Sequence, residues 1–244
     1  RQPPNNYDLR IWTVDGGAGG LLEDSTTRRE RGRPAVQRVP VPGVPDAFVM
    51  LGVLTRGECA VLRTVSERIG FVPDHPTSRP APSGIGGLEW LFTDGLTETL
   101  FDRCRSCLTP FLAGGKVAGI NNRCRFFRYT DAERAVYRPH IDGSWPGSGL
   151  DEITGQYKHD AYGDRRSRLT FLLYLNDDFE GGCTTFFSPG LSGGLEARGV
   201  KPVEGAVLCF PQGNTSSLLH EGSAVKRGVK DVIRTDVLYM ARAR

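Results

Sequence analysis

The sequence predicts an α+β domain in which helices come first and a β-rich half follows as a sandwich or jelly-roll barrel. Three observations lead to this fold class. Helical periodicity is confined to residues 55–108, segments with apolar residues at every second position follow from Arg123 onward, and Gly, Pro, Asn and Asp cluster between those segments. Helices followed by many short strands indicate this architecture, and 244 residues suffice for one sizeable domain with a tail.

The first organised elements are a short strand and two helices. Residues 47–51 form a compact apolar run that predicts a strand. Thr55 is followed three residues later by Glu58, a capping-box pattern, and apolar residues then recur at helical spacing as far as Gly70. Glycine is suited to end a helix, so the first helix is expected to stop there. A second helix is predicted over residues 96–108.

The β-rich half contains four segments with strand-like patterns. Each is short, apolar and rich in β-branched or aromatic residues, with turn residues on both sides. The segments are residues 123–129, 168–176, 206–211 and 231–240. The long polar stretch between about 144 and 168 lacks such a pattern, so we expect a loop there that covers a substrate.

The first 44 residues differ in composition from the rest of the chain. They are rich in Arg, Gly and Pro without sustained periodicity, which predicts a flexible segment over residues 1–44 ahead of a folded domain over residues 45–244. A solvated tail is the favoured interpretation, and a strap that binds RNA or a partner subunit is the alternative. The chain opens with Arg1, which suggests a processed or truncated form and leaves its compartment open.

Composition narrows the classes of protein to consider. The formal net charge of +3 is too small to argue for nucleic acid by itself. No run of about 18 apolar residues occurs, so we expect a soluble protein with no membrane span. The six cysteines show neither a dense disulfide framework nor a paired zinc motif, and ordinary semi-buried thiols are the favoured interpretation.

A metal site is predicted from three residues that are remote in the sequence. His140 and Asp142 are two positions apart, and in an extended segment such residues point the same way. His220 follows a strand-like run much later in the chain, where a sheet can bring it beside the first pair. Two histidines and one carboxylate on one face leave positions open on the metal, an arrangement that is diagnostic of non-haem Fe(II) oxygenases.

A buried cation is predicted shortly after His220. Lys230, Val232 and Arg234 fall on one face of the last predicted strand by the period-two rule. A cation that points into an apolar barrel is costly unless an anion meets it. A dicarboxylate co-substrate would meet that need, and pairing with neighbouring carboxylates at a strand edge is the alternative.

With these residues in hand, the chain resembles the 2-oxoglutarate and Fe(II)-dependent oxygenases, most closely the prolyl 4-hydroxylase branch. The resemblance runs from about residue 45 to residue 239. It rests on His-Ile-Asp at 140–142, on His220, and on Lys230, which is the tenth residue after His220. Supporting motifs occur in the expected order at residues 125–129, 168–176, 181–186 and 202–210.

The resemblance implies a double-stranded β-helix, or jelly-roll, with supporting N-terminal helices. It implies that His140, Asp142 and His220 hold Fe(II) and are the catalytic centre. It further implies 2-oxoglutarate and O2 as co-substrates, with ascorbate as a further expectation. The residues implied in 2-oxoglutarate binding are Lys230 for the distal carboxylate, Arg234 as its substitute or support, and Tyr129, Tyr174 and Thr170 nearby.

The resemblance also implies a substrate class. Hydroxylation of a prolyl or other side chain in a protein or peptide is the favoured expectation. A nucleic-acid base is the first alternative, because the chain is mildly basic and its N-terminal segment is rich in Arg. A structural subunit that keeps the fold inside a larger assembly is the second alternative.

Overall fold

The computed structural model describes residues 11–13, 35–74, 84–151, 153–190, 194–213 and 218–241. Both predicted helices are present. They are α1 (Arg56–Ile69) and α2 (Asp94–Cys104), and a 3-10 turn over Arg105–Cys107 extends α2. No helix in these ranges is both long and apolar enough to cross a membrane.

Helix α1 begins and ends where the sequence predicts. The Thr55 hydroxyl accepts a hydrogen bond from the Glu58 backbone N–H at 3.1 Å, and the Glu58 carboxylate accepts one from the Thr55 N–H at 2.8 Å. At the other end the Gly70 N–H donates to Ser66 O. Glu58 also forms a buried ion pair of 2.8 Å with Arg103 of α2, which joins the two helices.

Strands form most of the remaining structure. Those in the first half are β1 (Ile11–Thr13), β2 (Gln37–Pro40), β3 (Phe48–Leu51), β4 (Val72–Pro73), β5 (Gly86–Leu91), β6 (Phe111–Leu112), β7 (Gly115–Ile120), β8 (Arg123–Thr130) and β9 (Tyr137–His140). Those in the second half are β10 (Gly149–Leu150), β11 (Tyr157–Lys158), β12 (Arg165–Tyr174), β13 (Glu180–Gly181), β14 (Thr184–Pro189), β15 (Leu195–Val200), β16 (Val207–Pro211), β17 (His220–Gly222), β18 (Val225–Arg227) and β19 (Val229–Met240).

The principal sheet has the order β1-β5-β8-β19-β12-β16-β3-β2, with β4, β6 and β7 at its side. The four strands predicted in the β-rich half are β8, β19, β12 and β16, and they are adjacent at the centre of this sheet. Their bounds agree with the prediction to within a few residues. Since β12 pairs antiparallel with both β16 and β19, residues far apart in the sequence lie side by side.

A second sheet, with the order β15-β14-β17-β9, lies over one face of the principal sheet. Phe186 of this second sheet packs edge-to-face on Phe210 of β16 at 5.1 Å. The opposite face of the principal sheet packs against α1 and α2 through residues such as Phe126 and Phe171. Two facing sheets with helices on the outside form the jelly-roll that the resemblance implied. Because both faces of the principal sheet are covered, alternate residues of its central strands are buried on opposite sides.

Two segments differ from the simplest expectation. Strand β2 pairs with β3, so the principal sheet begins before Pro45, the boundary expected from the sequence. The short strand β1 also pairs with β5, while residues 1–10 and 14–34 of the predicted flexible segment lie outside the described residues. The loop expected over residues 144–168 contains the β10–β11 hairpin, which gives it regular structure of its own.

Candidate active site

Three predicted metal ligands meet where β9 and β17 pair. His140 is the last residue of β9 and His220 the first of β17, and the two are directly paired in the sheet register. Asp142 follows two residues after His140. One ligand atom from each of the three side chains lies within 4.8 Å of the others. The sheet register therefore brings together residues that are 80 positions apart.

Each histidine presents its Nε2 atom to the centre of this cluster. His140 Nδ1 lies 2.8 Å from Arg138 O, and His220 Nδ1 lies 2.9 Å from Leu218 O. A carbonyl oxygen can only accept, so each Nδ1 carries the proton and each Nε2 keeps a free lone pair. The Nε2 atoms lie 3.6 and 3.7 Å from the Asp142 carboxylate oxygens. Such backbone contacts orient metal-binding imidazoles in proteins.

The Asp142 carboxylate is held by two side chains from the principal sheet. The Thr170 hydroxyl donates to Asp142 Oδ2 at 2.6 Å, and Arg234 Nη2 lies 3.4 Å from Asp142 Oδ1. Burial alone raises the pKa of this carboxyl, but the Arg234 guanidinium and the neighbouring imidazole rings outweigh burial and hold the pKa well below its usual range. Asp142 is thus an anion.

The donor set fits Fe(II). Two imidazole nitrogens and one carboxylate are the facial set that leaves positions open for co-substrates. Burial lowers the pKa of His220, which favours the neutral imidazole that a metal requires. No other group of three or more His, Cys, Asp or Glu side chains in the described ranges is arranged to hold an ion.

The buried cation that the sequence predicts is Lys230, near the start of β19. Lys230 is 1% exposed, and its Nζ donates to Gly182 O at 2.7 Å. The rings of Tyr129 and Tyr174 flank the ammonium, with centroids at 4.8 and 5.8 Å. Burial lowers the pKa of Lys230 from 10.5 to about 8. Within the described ranges, no carboxylate lies within ion-pair distance of this ammonium.

A tight turn at Gly182 and a hydrogen bond between two hydroxyls lie beside Lys230. Gly182 adopts a φ of 63°, and a Cβ there would lie 2.7 Å from the Phe179 ring and 3.2 Å from Lys230 Cδ. The Tyr174 and Thr184 hydroxyls are hydrogen-bonded at 2.8 Å. An ammonium has three N–H donors, and one of them meets Gly182 O. The other two N–H groups of the ammonium are suited to donate to a carboxylate.

The structure divides the predicted co-substrate residues into two groups. Tyr129 and Tyr174 flank Lys230. Thr170 and Arg234 instead contact the metal carboxylate Asp142. Lys230 and Arg234 share one face of β19 but are four residues apart, which separates them by about 13 Å at the usual strand rise.

Four further polar groups at the site carried no assigned role in the sequence prediction. They are Gly182 and Thr184 beside Lys230, and Gln212 and Asp236 beside Arg234. The motif at residues 181–186 was a signal for the first two. No sequence pattern pointed to Gln212 and Asp236, because their contact joins the residue after β16 to β19, which are far apart in the sequence.

Comparison with known proteins agrees with this geometry. A family model described as the 2OG-Fe(II) oxygenase superfamily matches residues 124–235. A prolyl-4-hydroxylase from Pseudomonas putida superposes with a TM-score of 0.50 at 17% identity, covering 82% of this chain and 94% of that chain. No curated protein sequence matches the chain.

A second solved structure is a prolyl hydroxylase from Trichoplax adhaerens in complex with a hypoxia inducible factor oxygen degradation domain peptide fragment. It superposes with a TM-score of 0.51 at 16% identity, covering 80% of this chain and 83% of that chain. At such identities the likeness to both structures establishes the fold.

The fold and the site together define a non-haem iron oxygenase built on a jelly-roll. More particularly, residues 124–235 match the 2OG-Fe(II) oxygenase superfamily, which supports a 2-oxoglutarate- and Fe(II)-dependent dioxygenase with the prolyl hydroxylase-like fold. Its cofactor and co-substrates are accordingly Fe(II), 2-oxoglutarate and O2.

Proposed function

We propose that this dioxygenase hydroxylates a C–H bond of a protein or peptide side chain, with proline as the first candidate. The observation that carries the proposal is the convergence of His140, Asp142 and His220 on one side of a barrel that also buries Lys230. The fold neighbours favour a peptide substrate, because both are prolyl hydroxylases and one was solved with a peptide fragment.

The proposal assigns each polar side chain of the site a role. Iron with 2-oxoglutarate and O2 supplies the oxidising chemistry, with succinate and CO2 as by-products. His140 and His220 offer Nε2 lone pairs, and Asp142 offers a carboxylate whose charge is secured by its neighbours. Lys230 binds the distal carboxylate of 2-oxoglutarate, and the Tyr129 and Tyr174 rings exclude water from that contact.

The residues between the two ends of the site give the co-substrate its orientation. Val232 lies between Lys230 and Arg234 on the inward face of β19 and is buried. An apolar side chain there offers no competing hydrogen bond, so the two ends of a dicarboxylate are distinguished by the polar groups on either side of Val232. One end meets the ammonium of Lys230 and the other faces the metal ligands.

A turnover assay with mass spectrometry tests the proposal. Purified protein is incubated with Fe(II), ascorbate, labelled 2-oxoglutarate and a library of proline-containing peptides. We expect succinate release and a peptide mass increase of one oxygen. Asp142→Ala should abolish both, whereas Asp102→Ala, at an exposed carboxylate on α2, should retain them.

The same assay separates the substrate classes. Single-stranded oligonucleotides form a parallel arm for the nucleic-acid alternative. Oxidation of a base, with salt-dependent binding of the oligonucleotide, would replace the peptide proposal. Succinate release that no peptide stimulates, even when the library extends beyond proline, would also count against it.

A further inference from the structure

Arg234 lies between two carboxylates, only one of which is a proposed metal ligand. Its Nη2 atom is 3.4 Å from Asp142 Oδ1 and also 3.4 Å from Asp236 Oδ1. Both carboxylates are largely buried, with side chains 10% and 5% exposed. The guanidinium is therefore shared between an anion that faces the metal position and an anion that lies behind it.

Asp236 is fixed in this position by a third side chain. Gln212 Nε2 donates to Asp236 Oδ1 at 2.8 Å, and Gln212 is itself 4% exposed. The amide oxygen of Gln212 has no hydrogen-bond partner among the residues that the structure describes. Turning the donor side of a buried amide toward Asp236 while leaving its oxygen unmet is favourable when Asp236 is an anion.

A guanidinium at this position creates an electrostatic conflict. A cation beside Asp142 competes with a divalent metal for the same carboxylate, and it also repels the metal across a short distance in a poorly screened interior. Thr170 donates to the other Asp142 oxygen without adding charge, so the conflict comes from Arg234. An anion on the far side of Arg234 offsets that charge and offers the guanidinium a second partner.

We propose that Asp236, oriented by Gln212, is a positioning residue that draws Arg234 away from Asp142 and so permits metal binding. It acts through Arg234 and touches neither metal nor substrate. This role rests on the proposed assignment of His140, Asp142 and His220 as metal ligands. It accounts for the presence of two buried, hydrogen-bonded residues, Asp236 and Gln212, behind the metal position.

Metal binding without turnover tests this role. Metal-free protein is titrated with Co(II) by calorimetry in the absence of 2-oxoglutarate and O2. Asp236→Asn keeps the shape of the side chain but removes one of the two carboxylates beside Arg234, so Co(II) affinity should fall about tenfold or more. In the double variant Arg234→Met/Asp236→Asn both charges are removed, and affinity should return to within about threefold of wild type.

A control separates this role from general stability. Glu58→Gln disrupts the buried ion pair with Arg103, away from the site, while keeping a side chain that can complete the capping box. It should lower the unfolding temperature without changing Co(II) affinity. A merely structural role of Asp236 would not be rescued by removing a second buried side chain.

The possible results are distinct. Weak binding by Asp236→Asn together with rescue by the double variant supports the role of Asp236. Equal affinity of Asp236→Asn and wild type, or a double variant as weak as the single one, overturns it while the metal site stands. Failure of wild-type protein to bind Co(II) would overturn the metal-site assignment itself, and the role of Asp236 with it.

Discussion

Replacing Lys230 with Met should stabilise the ligand-free protein and at the same time abolish tight binding of 2-oxoglutarate. Burial lowers the Lys230 pKa from 10.5 to about 8, which corresponds to a cost of about 3 kcal/mol for burying the ammonium. Because the folded-state pKa is the lower one, this cost is fully present below pH 8. It is relieved as pH rises from about 8 to about 10.5.

The net effect on stability is smaller than the cost of burial. Methionine removes the charge and nearly fills the same volume, but Gly182 O then loses a charge-assisted hydrogen bond of about 1.5–3 kcal/mol. A net gain of about 1 kcal/mol is expected at pH 7, which raises the unfolding temperature by about 2–4 °C in a domain of this size. At pH 10 the difference between variant and wild type should shrink.

The effect on the co-substrate has the opposite sign. Removing one partner of a buried charge pair costs about 2–5 kcal/mol, so 2-oxoglutarate should bind more weakly by about 30-fold to about 5,000-fold. Thermal unfolding with Mn(II), in the presence and absence of 2-oxoglutarate, measures both effects in one experiment, because a bound ligand raises the unfolding temperature by an amount that grows with the logarithm of its affinity.

The matched control is Lys116→Met, at an exposed lysine on β7. It should change neither quantity. A Lys230→Met protein that unfolds earlier than wild type and still binds 2-oxoglutarate normally would show that Lys230 is a structural residue and would remove the co-substrate assignment.

Three further predictions concern Lys230 and its neighbours and the Asp142 carboxylate. The KM for 2-oxoglutarate should be constant below pH 8 and rise by up to about tenfold per pH unit above it, as Lys230 loses its proton; a flat profile between pH 7 and 9.5 would contradict this. Thr170→Val should weaken Co(II) binding about tenfold, because Asp142 loses a 2.6 Å hydrogen bond, and unchanged calorimetry would show that the contact is dispensable. Gly182→Ala should destabilise the protein by about 1–2 kcal/mol and raise the KM for 2-oxoglutarate, since a Cβ at a φ of 63° meets Phe179 and Lys230; urea unfolding and initial rates measure both, and a variant equal to wild type would refute the close approach.

Local sequence patterns were sufficient to predict the helices, the central strands and which residues of β19 share a face. The capping box at Thr55 and Glu58 marked the start of α1, since both of its hydrogen bonds form within four residues of chain. The period-two pattern correctly placed Lys230 and Arg234 on one face of β19, because side-chain alternation is a property of a single strand. The proximity of His140 and His220 was predicted from their chemistry, and in the structure the two residues are directly paired between β9 and β17.

What each residue on that face contacts could not be predicted from one strand, because it depends on how neighbouring strands are aligned. Arg234 is opposite Leu172 on β12, one step along the face from Thr170, and this register is what delivers it to Asp142 rather than to a co-substrate. Gln212 reaches Asp236 across β12 for the same reason. A one-residue slip of β19 would turn both Lys230 and Arg234 toward the helix-covered face and place Asp231 and Ile233 in the site instead. The proposed chemistry therefore depends on the sheet register as much as on the candidate metal ligands, since the register places one cation at the proposed 2-oxoglutarate position and the other between two carboxylates.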